Sequence, residues 1–271
     1  MNIKKRILFT GAGGAAAEAL WRLWSNKYEL YFADACLESI TNTIPDERKL
    51  LIPFASDRCF ISEINQLSQK KKIDILVPGV DEELLPLCEN RNCAGMPEIF
   101  SPQIDFVKLM LDKFECIKMI KEYGLSVPHT YTISEANQLT FPIIVKPKSG
   151  RGSRGVSILA SEQEIDAYKI LNKTPIDKLL AQELIIGDEY TVLVAGDNNG
   201  RLKAIVPVKV ECKKGITIRA STNLNNAVIE YVKQFHEAFK PRGVYNLQCI
   251  LTKEEAVFPF EINPRISTTF C

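Results

Sequence analysis

The sequence predicts an α/β domain followed by an α+β domain, and three observations carry that reading. Up to Ser101-Pro102, short apolar runs alternate with helical stretches. Beyond that point strand signals follow one another, and a glycine-rich loop joins two of them as a hairpin. Near the end, Val257-Phe258-Pro259-Phe260-Glu261-Ile262-Asn263-Pro264-Arg265 reads as a strand whose polar residues share one face.

In the first part, Ile7-Leu8-Phe9-Thr10 is a strand and Gly11-Ala12-Gly13-Gly14 a turn, with a helix expected over 15–24. Glu29-Leu30-Tyr31-Phe32-Ala33 is a second strand ending at Asp34. A polar amphipathic helix over 61–72 leads to the strand Ile73-Asp74-Ile75-Leu76-Val77, stopped by Pro78-Gly79. Strand–helix–strand order with short connections implies a parallel sheet. The glycine turn invites a dinucleotide reading, but G-x-G-x-x-G fails because the sixth position is Ala16. Asp81-Glu82-Glu83 reads as the acidic first turn of a helix, or as carboxylates facing a cleft to bind a substrate amine.

The boundary is placed at 101/102, giving domains 1–101 and 102–271. A single helix is expected over 104–122, ended by Gly124. Pro142-Ile143-Ile144-Val145-Lys146-Pro147 is a strand, 148–155 a glycine-rich loop and Val156-Ser157-Ile158-Leu159 the return strand. Further strands are expected over 179–185, 190–195, 202–210 and 244–251, with a helix over 223–239. His236 on that helix reads as a surface or packing residue.

The loop Ser149-Gly150-Arg151-Gly152-Ser153-Arg154-Gly155 allows backbone N–H groups to approach an anion, so Gly150, Gly152 and Ser153 are candidates for cradling phosphate. Lys146, near the end of an apolar strand, is a fixed positive charge suited to the same anion. The plainer alternative is a solvated hairpin turn. Glu261, Asn263 and Arg265 on one edge are poor core material; they suit a magnesium ion and the phosphates it neutralises. In Gly243-Val244-Tyr245-Asn246-Leu247-Gln248-Cys249-Ile250-Leu251, alternation puts Leu247, Cys249 and Leu251 on one face and Gln248 on the other. If this strand pairs with 257–263, Gln248 meets Glu261 and Asn263 as a third oxygen ligand.

Composition narrows the function classes. A net charge of +1 without a basic block predicts neither nucleic acid nor a membrane as partner. Eight cysteines include no C-x-x-C pair and there are only two histidines, so zinc and iron–sulfur spacings are missing. Cys116 and Cys249 read as small buried hydrophobes. No secretory signal and no long apolar run is present, so the expected setting is the reduced cytoplasm.

Asp112-Lys113, Ile144-Val145-Lys146-Pro147, the glycine loop, Gln182-Glu183-Leu184-Ile185-Ile186-Gly187-Asp188-Glu189-Tyr190, Asn246-Leu247-Gln248 and Phe260-Glu261-Ile262-Asn263-Pro264-Arg265, in this order, resemble the ATP-grasp superfamily. The likeness covers nearly the whole chain and is nearest to the ATP-grasp units of the carbamoyl-phosphate synthase large subunit and small stand-alone proteins like it. It implies a Rossmann-like N-terminal domain whose glycine loop borders the acceptor substrate, then an ATP-grasp domain. It also implies that Lys113 and Lys146 contact ATP, that Gln182, Glu183 and Ile185 line the adenine pocket, and that Glu189 binds the ribose. Gln248, Glu261 and Asn263 would hold Mg²⁺, with Mn²⁺ an accepted substitute, and Arg265 would stabilise the transferring phosphoryl group.

Arg219 is a further candidate for the substrate carboxylate or γ-phosphate, with an exposed strand position as its alternative. Gln248 departs from many relatives, which have Glu there. The implied reaction activates a carboxylate as an acyl phosphate for attack by an amine, both small molecules. A carbamoyl-phosphate-synthase-like subunit and a non-catalytic ATP-binding regulator are the alternatives, with NAD binding a distant third. A homodimer is admitted. Relatives continue beyond Asn-Pro-Arg with a further loop and helix, so the resemblance implies a chain truncated at its C-terminus.

Overall fold

The structure is a computed structural model and describes residues 4–14, 16–150, 154–171, 174–214 and 216–266. The first part contains β1 (Arg6–Phe9), α1 (Ala16–Trp24), β2 (Glu29–Asp34), β3 (Lys49–Leu51), α2 (Phe60–Lys71), β4 (Ile75–Val77), α3 (Asp81–Glu89) and β5 (Glu98–Ile99). Its strands form a parallel sheet in the order β3-β2-β1-β4-β5. Alternate residues serve opposite faces: Ile7, Phe9, Leu30 and Phe32 join one core with α1, while Leu8, Tyr31, Ala33 and Leu76 join another with α2. A sheet covered on both faces explains why β2 is an unbroken apolar run rather than an alternating one.

The loops after β1 and β4 meet closely. A Cβ on Gly79 would lie 2.1 Å from the Thr10 carbonyl oxygen, so only glycine fits there. The Gly79 N–H donates to Thr10 Oγ1 at 3.3 Å, and the Thr10 hydroxyl donates in turn to the buried Glu83 on α3. Burial pushes the Glu83 carboxyl up to about 7 against the hydrogen bond from Thr10, which lowers it. The native state therefore holds a proton that the unfolded chain releases at its ordinary value of 4.5. That contribution to stability is complete below about 4.5 and is lost as pH rises through about 7. Urea unfolding of wild type and Glu83→Gln at pH 5 and pH 8 should differ in slope. Wild type should lose on the order of 3 kcal/mol more than the variant across that window.

The second part begins with α4 (Ile104–Leu111) and α5 (Lys113–Glu122), where the sequence suggested one helix. Asp112 breaks it: its backbone is extended, and its carboxylate caps α5 by accepting from the Phe114 and Glu115 N–H groups. Then follow β6 (Thr130–Thr132), β7 (Ile143–Pro147), β8 (Ser157–Leu159), α6 (Glu162–Leu171) and β9 (Leu179–Glu183). β10 (Asp188–Gly196), β11 (Leu202–Lys214), β12 (Ile216–Thr222), α7 (Asn226–Phe239), β13 (Gly243–Leu251) and β14 (Val257–Asn263) complete it.

The strands make two antiparallel sheets, β6-β9-β7-β8 and β12-β11-β10-β13-β14. Phe106, Val192, Val194, Phe235, Tyr245, Leu247 and Cys249 form the largest core, beneath one face of the second sheet. His236 is part of that packing: its ring nitrogens lie 3.2 Å from the Tyr245 hydroxyl and 3.1 Å from the Gly200 carbonyl, and burial lowers its pKa. Ile143, Val145, Leu159, Ile165, Tyr168 and Ala181 form the core of the smaller sheet with α6.

Ser101-Pro102 lies between β5 and α4. Leu84, Cys88 and Val107 pack α3 against α4, so the two parts share a small core there. Gly187 joins the two antiparallel sheets; a Cβ on it would come within 2.2 Å of the Leu251 carbonyl oxygen.

Candidate active site

The period of two that buries one face of each antiparallel sheet turns the other face toward a shared cavity. On β7, Ile143 and Val145 go to the core while Ile144 and Lys146 line the cavity. On β13, Leu247 and Cys249 go to the core while Gln248 and Ile250 line it. The cavity holds about 300 Å³, and Lys113, Ser149, Gly150, Arg154, Glu183, Leu184, Ile185 and Glu189 also line it.

β14 would fail to deliver Glu261 to this cavity if it alternated regularly. Val257 and Ile262 both enter the core, an odd spacing that one uninterrupted strand cannot supply. The register explains it: Gln248 pairs with Glu261, but Cys249 pairs with Pro259, so Phe260 is an extra residue. This bulge turns Phe258, Phe260 and Glu261 all toward the cavity. Gln248 and Glu261 become direct cross-strand partners, and Asn246 pairs with Asn263.

The polar groups are bound to one another. Lys146 is buried; its Nζ donates to Gln182 Oε1 at 2.8 Å and to the Phe260 carbonyl at 3.0 Å. Gln182 Nε2 donates onward to Thr130 Oγ1 at 2.7 Å. Burial lowers the Lys146 pKa to about 8, with Glu261 opposing and Lys113 assisting. Lys113 Nζ lies 3.0 Å from Glu261 Oε1 and donates to the Gly150 carbonyl at 2.7 Å. Glu189 Oε1 accepts from Lys213 Nζ at 2.6 Å. Asn263 Nδ2 donates to Asn246 Oδ1 at 3.2 Å, so the oxygen of Asn263 is the end left to meet a cation.

A second cavity of about 410 Å³ adjoins the first and shares Lys113, Ser149, Gly150 and Glu261 with it. Asp81, Glu82, Leu85, Met110, Leu111, Ile262 and Asn263 complete its lining. Arg265 lies at the edge of this region, and its Nε donates to Asp81 Oδ1 at 2.5 Å.

Glu261, Gln248 and Asn263 offer one carboxylate and two amide oxygens, hard donors that fit Mg²⁺. No group of three or more His, Cys, Asp and Glu side chains stands ready for a metal among the described residues. An ion there needs further oxygen ligands, such as phosphates and water.

Lys113, Lys146, Gly150, Gln182, Glu183, Ile185, Glu189, Gln248 and Glu261 all line the first cavity, and Asn263 the second. Gly152 and Ser153 lie outside the described residues. Two placements differ from expectation. Arg219, on β12, is not brought to the cavity: its side chain is 72% exposed and its Nε donates to Glu211 at 2.8 Å. Its alternative as an exposed strand residue describes it. Arg265 is drawn away to Asp81 rather than lining the first cavity. Lys213 was missed. It lies in a run, Lys209 to Lys214, that reads as solvated charge, and it meets Glu189 beyond Tyr190 and Lys209, the last residues at which β10 and β11 pair.

Comparison with known proteins agrees with this architecture. A family model described as ATP-grasp domain matches residues 110–269. The carbamoyl phosphate synthase large chain of Clostridium beijerinckii is 24% identical over 254 residues, 89% of this chain and 22% of the relative. The chain thus spans about a fifth of that relative's length. Among solved structures, carboxyaminoimidazole ribonucleotide synthase of Aspergillus clavatus, complexed with ATP, superposes with a TM-score of 0.75 at 17% identity, over 97% of this chain and 71% of that one. The L-amino acid ligase of Bacillus licheniformis gives 0.68 at 16% identity, over 98% and 68%. Two antiparallel sheets facing each other across a lysine-lined cavity, behind a parallel-sheet domain, and a family match over most of the second part lead to one assignment: the chain belongs to the ATP-grasp family.

Proposed function

We propose that this protein is an ATP- and Mg²⁺-dependent ligase that activates a small carboxylate as an acyl phosphate for attack by an amine. The observation that carries the reading is the convergence of Lys113, Lys146, Gln248 and Glu261 on one cavity between the two antiparallel sheets. Ile144, Ile185, Ile250, Phe258 and Phe260 give that cavity apolar walls suited to a purine. Glu183 and the backbone after β9 border the base, and Glu189 meets the ribose hydroxyls once it leaves Lys213. Bound by Glu261, Gln248 and Asn263, Mg²⁺ (or Mn²⁺ in its place) supplies charge neutralisation for the phosphates.

The chain's own residues position and screen charge. Lys146, already desolvated, directs a preorganised positive charge at the phosphates. Lys113 exchanges Glu261 for a phosphate oxygen, which frees the carboxylate for the metal. Ser149 and Gly150 border both cavities, so they stand between nucleotide and acceptor. No side-chain nucleophile is required, because the reaction depends on proximity and charge stabilisation. In this reading residues 1–101 form the Rossmann-like acceptor domain and 102–271 the ATP-grasp domain. Free thiols at Cys36, Cys59, Cys93 and Cys212 suit a reducing cytoplasmic setting. No helix among the described residues is long and apolar enough to cross a membrane.

Release of ADP should appear only when a matching carboxylate and amine are both present. A screen of amino acids, short carboxylates and amines by coupled ADP detection checks this. ATP binding without stimulation by any pair would instead favour a non-catalytic regulator.

A further inference from the structure

Arg265 is held in an arrangement that the ligase reading alone does not explain. Its main chain is fixed: the Arg265 N–H donates to the Asn263 carbonyl at 2.8 Å, and Asn246 Nδ2 donates to the Arg265 carbonyl at 3.0 Å. Asn246 is fully buried and pairs with the metal-directed Asn263, so this anchor belongs to β13 and β14. The side chain leaves that anchor and crosses to the other domain. Its Nε donates to Asp81 at the first turn of α3, and its Nη1 donates to the neighbouring Ile266 carbonyl at 3.0 Å. Both ion-pair partners are mostly shielded, at 14% and 16% side-chain exposure. A shielded pair of this kind is screened little by solvent, and separating it leaves two charges to be satisfied. Meanwhile the guanidinium, the cation nearest in sequence to the metal-directed residues, is absent from the lining of the nucleotide cavity.

We propose that Asp81 is a gate residue: it withholds Arg265 from the phosphoryl-transfer position until a cationic ammonium group of the acceptor substrate takes the guanidinium's place. This deepens the ligase reading and rests on it. Asp81 lines the second cavity, which meets the nucleotide cavity at Lys113, Gly150 and Glu261. An ammonium group entering there finds the Asp81 carboxylate, while Leu85, Met110 and Leu111 provide apolar surface for its carbon chain. One ion pair replaces another of the same charge, so the exchange leaves no carboxylate stranded. The released guanidinium is fixed at its backbone just beyond Asn263, and in this proposal it turns to the phosphates. Amine binding and full stabilisation of the phosphoryl group then become one linked event, and by linkage each strengthens the other. The device limits acyl-phosphate formation, and its loss to water, in the absence of an acceptor.

The test uses the full chain and binding as its readout. Wild type, Asp81→Asn, Arg265→Gln and the double variant are titrated with the Mg²⁺ complexes of AMP-PNP and of ADP, and thermal melting confirms that each is folded. Asp81→Asn should bind AMP-PNP about tenfold more tightly than wild type, since the competing partner is lost. ADP, which lacks the γ-phosphoryl group, should show no such gain. The gain should vanish in the Arg265→Gln background. Lysine, ornithine, putrescine and n-butylamine are then added as probes. At least one should tighten AMP-PNP binding to wild type and leave Asp81→Asn unchanged.

Equal AMP-PNP affinity for wild type and Asp81→Asn overturns the gate while leaving the ligase reading standing. A gain that survives in Arg265→Gln also overturns it, as does the absence of any amine effect on wild type. Failure of both wild type and Asp81→Asn to bind nucleotide overturns the gate and the ligase reading together.

Discussion

Glu261→Ala should remove the metal-dependent part of nucleotide binding and leave the metal-free part intact or stronger. Glu261 is the carboxylate of the proposed ligand set, opposite Gln248 across the strands, so its loss leaves two neutral amide oxygens, a poor set for a small hard cation. The same substitution frees Lys113, which Glu261 holds at 3.0 Å. A freed lysine favours ATP without metal. Titrations of ATP in Mg²⁺ and in EDTA should therefore differ for wild type and converge for the variant. The metal-dependent gain should fall by about 100-fold, the effect of removing a strong charge-assisted contact in a shielded site. An unchanged ratio between the two conditions would exclude Glu261 as a metal ligand.

Lys146→Met should weaken ATP binding by about 10- to 100-fold, the effect of one charged hydrogen bond lost in a buried site. Its pH behaviour is the sharper signature. Burial lowers the Lys146 pKa to about 8, so its positive charge disappears as pH rises through that value. Wild-type affinity for ATP should fall above pH 8, and the variant should not follow it. Stability runs the other way. The unfolded lysine keeps its proton up to its ordinary 10.5, so between about 8 and 10.5 the unfolded state binds more protons and the native state gains as pH rises. Calorimetric titration and urea unfolding across pH 7–10 should show these opposite slopes in the difference between wild type and variant, in which the other titrating groups cancel.

The sequence made the order of the main strands legible because each carries a strong period: Leu247, Cys249 and Leu251 inward, Gln248 outward. It also brought Lys146, Gln248 and Glu261 forward, since polar residues inside apolar strands need a reason; Gln182 came from the family resemblance alone. What stayed hidden depends on pairing rather than pattern. The bulge at Phe260 cannot be seen without the partner strand, because it exists only as a mismatch in count between β13 and β14. The break at Asp112 was hidden by apolar spacing that continues through it, although Asp followed by Lys-Phe-Glu is a helix start in its own right. Short strands such as β3 and β5 carry too few residues for any period. Arg265 was placed by the strand motif it follows and by the family resemblance, and Arg219 was a further candidate with an exposed strand position as its alternative. One proved to face solvent, and the other is held by a residue 184 positions away.

Lys213 gives the nucleotide cavity its electrical character. With it, Lys113, Lys146 and Arg154 make four cationic side chains on the lining, against the carboxylates of Glu183, Glu189 and Glu261. Among the described residues a glutamate at 248 would bring the two signs level; Gln248 leaves them with a surplus of one positive charge. Such a wall is a mild anion exchanger, and the divalent ion is the counter-charge that it lacks for four phosphate charges. In the proposed reading, selectivity between free and metal-complexed nucleotide is set partly by a lysine on a strand remote in sequence from Glu261 and Asn263 and from the glycine loop.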